Sequence, residues 1–154
     1  MNNASGTPLE FHKISTQKEA EDFVYASYLR AATHQDYAAK DAGKRHPELT
    51  RSLLRQKSLT PCVVVTGSKG KGSVANMISR ILQTNYTVGL MTSPHISDFR
   101  ERFRVNDTMI SEADFCCLMA QIRPEILDIA SDLAESVCIS PMGIQADLAL
   151  TYFS

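Results

Sequence analysis

The chain has 154 residues, 44% of them hydrophobic, which suits a single domain with a core of its own and excludes a disordered chain. Its 16 basic and 17 acidic residues leave a formal net charge of −1, so no general field draws it to nucleic acid or an anionic membrane, and any anion site must be local. No apolar run approaches the roughly 20 residues that a membrane-crossing helix needs. Cys62, Cys116, Cys117 and Cys138 form neither a C-x-x-C pair nor a disulfide framework, and read as ordinary buried thiols of a reducing compartment. The start, MNNASGTPLEFHK, has neither the basic lead nor the apolar core of a secretory signal, so a cytoplasmic protein is expected, with a mitochondrial form left open.

Residues 1–14 read as a flexible tail. Thr16 followed by Glu19 spells a capping box, and Ala20, Phe23, Val24, Tyr28 and Ala31 behind it fit one helical face with Ser27 as its polar member. The polar stretch from His34 to Lys57 contains HPELTRSLLR, a short helix opening near Pro47. Cys62-Val63-Val64-Val65-Thr66 is a short β-branched run without polar alternation, as expected of a strand buried on both faces of a parallel sheet. A glycine cluster follows. Val74, Met77, Ile78, Ile81 and Leu82 then give one apolar helical stripe, and Thr87 to Thr92 reads as a second strand. This β-loop-α-β order predicts an α/β fold, a parallel sheet flanked by helices.

Further on, Arg102 to Val105 alternates like an exposed strand turning at Asn106-Asp107, which would set Arg100, Arg102 and Arg104 on one face. Ser111 with Asp114 caps a helix bearing Phe115, Leu118, Met119 and Ile122. Pro124 is expected to open another, with Ile126, Ile129, Ala130 and Leu133, and a last helix runs from Gly143 to Phe153. A crossover helix should deliver the chain to a further strand, so the sequence reads as the first part of a longer domain.

The glycine cluster, Gly67-Ser68-Lys69-Gly70-Lys71-Gly72-Ser73, sits where a phosphate-binding loop belongs, between a strand and a helix. Glycines let backbone N–H groups close around phosphate oxygens, the helix N-terminus adds uncapped donors and a positive dipole end, and Lys71 supplies a point charge. The spelling departs from G-x-x-x-x-G-K-[ST]: Val65 stands where the first glycine belongs, and Gly72 where the hydroxyl belongs.

That departure resembles the loop G-[ST]-x-G-K-G-S of the folylpolyglutamate synthase and dihydrofolate synthase family, within the Mur ligase superfamily. Three more segments follow in the family's order: Ser93-Pro94-His95, then Arg100-Glu101-Arg102-Phe103-Arg104-Val105-Asn106, then Ile110-Ser111-Glu112-Ala113-Asp114-Phe115. The resemblance covers about residues 15–153. It implies a Mur ligase-type ATPase domain over residues 15–154, here its N-terminal portion, without the C-terminal glutamate-binding domain.

It also implies a reaction. ATP activates a pteroate or folate carboxylate as an acyl phosphate, and L-glutamate attacks to form an amide. By resemblance, Gly67 to Ser73 bind ATP with Lys71 as the catalytic cation, and Ser93 supplies the magnesium hydroxyl that Gly72 cannot, with Ser73 as a local alternative. Gln145 occupies the place of the family's magnesium-binding glutamate. His95, Asp98, Phe99, Arg100 and Arg102 are candidates for binding the pterin-bearing substrate. The cofactors implied are ATP and Mg2+, and the partners are small molecules, dihydropteroate or folate and L-glutamate, with no nucleic acid and no membrane. Because catalysis needs groups from both domains, the 154 residues alone are expected to ligate nothing. Two other readings stay open: a Mur-type ligase for another acid and amine, and a non-catalytic nucleotide-binding or vestigial chain.

Overall fold

A computed structural model describes residues 14–33, 46–54, 61–134 and 137–154. The expected tail lies outside these, apart from Ile14, which is buried against the core. Most of the polar stretch from His34 to Lys57 lies outside them too.

Helix α1 (Gln17–Thr33) starts as its sequence spells. Thr16 Oγ1 accepts from the Glu19 N–H at 3.3 Å, while the Glu19 carboxylate accepts from the N–H groups of Thr16 at 3.0 Å and Ser15 at 2.7 Å. Ala20, Phe23, Val24 and Ala31 are buried, whereas Tyr28 lies at the surface. Ser27 is buried as well, and its hydroxyl accepts from the Ile139 N–H at 3.0 Å, tying a distant segment to α1. Helix α2 (Pro47–Leu54) places Leu53 in the core.

Helix α3 (Lys71–Leu82) forms where its periodicity puts it. Its apolar stripe is uncovered among the described residues, with Met77 at 64% and Ile81 at 69% exposure. The expected strand before it is not formed. Residues 61–66 belong to no strand, and Val63 and Val64 are 65% and 77% exposed. β-branched residues favour an extended chain, but only a neighbouring ladder makes a strand, and no described segment lies in register beside this one.

The strands that do pair are antiparallel. β1 (Gly89–Met91), β2 (Phe103–Val105) and β3 (Thr108–Met109) lie in that order, with Leu90 opposite Arg104 and Arg104 opposite Met109. The two-residue turn is the physical reason for the β2–β3 direction: Asn106 and Asp107 take φ of 46° and 63°, the left-handed pair that lets a tight hairpin match strand twist. β2 is not an exposed alternating strand, since Phe103 is fully buried. Arg100 and Arg102 lie before it, in a 3₁₀ turn over Phe99–Arg102, so the three arginines do not share a strand face.

Helix α4 (Glu112–Ser131) begins as expected, with Ser111 Oγ accepting from the Asp114 N–H at 3.0 Å. It does not stop for Pro124, which lies inside it. An interior proline costs about 3 kcal/mol. Phe115, Met119 and Ile122 before it and Ile126 and Ala130 after it are all buried, and one continuous apolar face outweighs that cost. Helix α5 (Pro141–Tyr152) opens with its proline in the first turn and buries Ile144, Gln145, Asp147, Leu148 and Ala149. Helices α1, α4 and α5 pack on one another, α2 lies against α5, and β1 touches both α3 and α5. Phe99, Phe103 and Phe115 meet at ring separations of 5.8–6.1 Å in the middle of this core.

Cysteines divide evenly. Cys116 and Cys138 are buried, and burial pushes both thiols up, while Cys62 and Cys117 are exposed rather than buried as expected.

Candidate functional site

The glycine cluster forms an exposed turn into α3. Gly67 and Gly70 take φ of 143° and 74°, conformations open to glycine and strained for other residues. Gly70 is the N-cap of α3 and carries no capping side chain, so the donors of the first turn stay available. A Cβ placed on Gly70 or Gly72 would meet nothing within 4 Å, which leaves that side of the loop open. Lys71 folds back across the turn and donates from Nζ to the Gly67 carbonyl at 2.7 Å. Ser68, Lys69 and Ser73 are exposed around it. The parts that the sequence assigns to phosphate are therefore one surface.

The second group is built in the opposite manner. Ser93 is exposed, and the Ser93–Pro94 peptide is cis. From Ile96 onward the segment closes on Glu101, whose carboxylate accepts from the N–H groups of Ile96 at 2.8 Å, Ser97 at 3.2 Å and Asp98 at 3.1 Å, and from the Ser97 hydroxyl at 2.7 Å. These donors, with the Ile96 amide first, hold its pKa down to about 2. Sequence reasoning passed over Glu101, although Asp98-x-x-Glu101 spells a capping box, and the structure forms that box.

Asp98 and Arg100 are engaged with each other. The guanidinium donates to the Asp98 carboxylate at 3.2 and 2.7 Å, holding that carboxyl below its usual range, and Gln17 donates to the same carboxylate at 3.0 Å. Phe99 is part of the buried aromatic core. Of the residues proposed to touch substrate, these three are placed in the scaffold of the segment. His95 and Arg102 meet: Arg102 Nε donates to His95 Nδ1 at 3.0 Å and Nη1 donates to Gln145 Oε1 at 2.7 Å.

That last bond bears on the metal. Gln145 is 1% exposed, and its amide oxygen already accepts from a cation, which would repel a divalent ion at the same atom. Gln145 therefore does not fit as a magnesium ligand. No group of three or more His, Cys, Asp or Glu residues among the described residues could hold a metal ion either. No described helix is long and apolar enough to cross a membrane.

In sequence, the chain is 43% identical over 91 residues to the dihydrofolate synthase/folylpolyglutamate synthase of Bacillus subtilis strain 168, covering 58% of this chain and 21% of that protein. In structure, it matches the folylpolyglutamate synthase of Thermotoga maritima with a TM-score of 0.61 and 31% identity, over 86% of this chain and 31% of the other. It matches the folylpolyglutamate synthetase of Lactobacillus casei with a TM-score of 0.68 and 25% identity, over 90% of this chain and 33% of the other.

In sequence and in fold, the chain resembles the folylpolyglutamate synthase/dihydrofolate synthase family. No protein-family model matches it. It spans about a third or less of the length of these family members. The expected fold class, the α/β fold of the Mur ligase-type ATPase domain, holds through these neighbours, although the described sheet is small and antiparallel.

Proposed function

We propose that this chain is the nucleotide-phosphate-binding part of an ATP-dependent ligase that joins a pteroate or folate carboxylate to the amino group of L-glutamate. One observation carries the reading. Two glycines in left-handed or extended-positive conformations deliver an open loop to an uncapped helix start, with the Lys71 ammonium laid across it. Such a loop suits a phosphate chain and little else.

In the reaction so proposed, a carboxylate oxygen attacks the γ-phosphorus and ADP leaves, giving an acyl phosphate. The amine nitrogen then attacks the acyl carbon, phosphate leaves, and the ammonium proton passes to solvent. Negative charge accumulates on the phosphoryl oxygens in the first step. Lys71 exchanges its bond to the Gly67 carbonyl for these oxygens, and the N–H groups of residues 70–73 join it. Magnesium, as the resemblance implies it, retains Ser93 and Ser73 as candidate ligands. The chain alone is proposed to bind nucleotide without forming the amide, because the larger share of each relative's length has no counterpart in it.

Titration calorimetry with Mg-ATP, on this chain and on Lys71→Ala, tests the reading. Binding weakened about tenfold or more by the substitution, from the loss of a charge-assisted contact of roughly 1.5–3 kcal/mol, is the expected result. Equal binding by both proteins would remove the loop from the account.

A further inference from the structure

Arg102 is a buried cation that donates to an imidazole and to a side-chain amide. Its Nε–H donates to Nδ1 of His95 at 3.0 Å, its Nη1 donates to Oε1 of Gln145 at 2.7 Å, and its guanidinium carbon stands 4.8 Å from the centre of the Phe99 ring. A guanidinium has N–H donors only and keeps its proton at any physiological pH. The bond to His95 therefore runs in one direction: Nδ1 accepts and carries no proton. A neutral imidazole holds a single N–H, so that proton sits on Nε2.

We infer that Arg102 is a positioning residue that sets His95 as its Nε2–H tautomer, so that the Ser93-Pro94-His95 segment offers its ligand a hydrogen-bond donor. The inference rests on reading that segment as ligand-facing. In this state neither ring nitrogen has a free lone pair, and what His95 presents to a ligand is the Nε2–H donor. The ligand atom that it suits is an acceptor oxygen, of a phosphate, carboxylate or carbonyl group.

Gln145 makes the arrangement two-sided. Its amide oxygen accepts from Arg102, while its Nε2 donates to the Pro141 carbonyl at 3.0 Å, so opposite demands at its two ends fix which way the amide points. The guanidinium thus spans from Gln145 on α5 to the loop at Ser93 and holds the imidazole between that loop and the Phe99 ring, 5.5 Å from it. A lysine could not replace it, because only the planar fork reaches an imidazole and an amide at once.

The test is a long-range proton–nitrogen correlation spectrum of the ligand-free 154-residue chain at about pH 8, where an ordinary imidazole is neutral. His95→Gln identifies the signals of His95 among the four histidines. The expected spectrum shows a pyridine-like, unprotonated Nδ1 and a pyrrole-like, protonated Nε2. In Gln145→Glu, which keeps an acceptor for Arg102, the same pattern persists. In Arg102→Lys the two nitrogens move toward averaged positions, as in a free imidazole. An averaged or Nδ1-protonated His95 in the unsubstituted chain overturns the inference, as does an unchanged pattern in Arg102→Lys. The spectrum needs no nucleotide, so its outcome is separate from the fate of the proposed ligase function.

Discussion

The loop at residues 67–73 and the segment at residues 93–102 serve one proposed site but are held by different physics. The loop owes its shape to backbone conformation: two glycines at positive φ, an uncapped helix start, and a lysine that bonds to a carbonyl of the same turn. The segment owes its shape to side chains, with one carboxylate gathering three amides and a buried arginine reaching a helix 43 positions away. Phosphate needs open donors that nothing else occupies. A substrate-facing loop needs side chains whose orientation is already fixed before the ligand arrives. The contrast follows from what each part would have to do.

If the segment depends on the aromatic core beneath it, Phe103→Ala should be the most damaging change. Removing a fully buried ring between Phe99 and Phe115 is expected to cost about 3–5 kcal/mol in urea unfolding. A loss well under that would mean the segment is not anchored there. A second change sharpens the comparison on the packing side. A methyl on Gly143 would come within 2.5 Å of Thr50 Oγ1, so Gly143→Ala should push α2 from α5 and cost about 1–3 kcal/mol by the same assay.

The loop should answer differently. Gly67→Ala forces an L side chain into φ of 143°, a strain of order 1–3 kcal/mol. Because the loop is exposed and carries little of the core, it is expected to leave that conformation rather than hold the strain, which should show as weaker Mg-ATP binding with the unfolding midpoint almost unmoved. A midpoint shift as large as that of Gly143→Ala would erase the distinction between the two regions.

The smallest effect concerns pH and touches the segment alone. Glu101 is depressed to about 2 and Asp98 is lowered too, so both contribute order that is complete above the ordinary carboxylate range. That order is lost as pH falls from about 4.5 toward 2. Amide exchange at Ile96, Ser97 and Asp98, corrected for intrinsic rates, should accelerate across that window, whereas Gly70 and Val74 should not respond in the same way.

What the sequence made legible was mostly local. The capping pairs Thr16–Glu19 and Ser111–Asp114 and the Asn106-Asp107 turn all act within four positions, and each forms as spelled. The glycine turn into α3 was equally readable, because glycine spacing and a following apolar helix are short-range signals. Pro124 misled for the converse reason: a local breaking rule yielded to burial along the whole of α4, which no short window reports. The run Cys62–Thr66 carries a strand's composition, but pairing is a property of two segments. The same holds for Gln145. Its position in a motif suggested a metal ligand, and only the fold shows that a guanidinium from another element holds its oxygen.

The central claim is that residues 67–73 form a working phosphate cradle in this chain, and Mg-ATP calorimetry with Lys71→Ala tests it most directly. The account predicts binding by the unsubstituted chain, a loss of about tenfold or more in Lys71→Ala, and the same unfolding midpoint for both. Absence of binding by the unsubstituted, folded chain would contradict it, as would identical affinities for the two proteins.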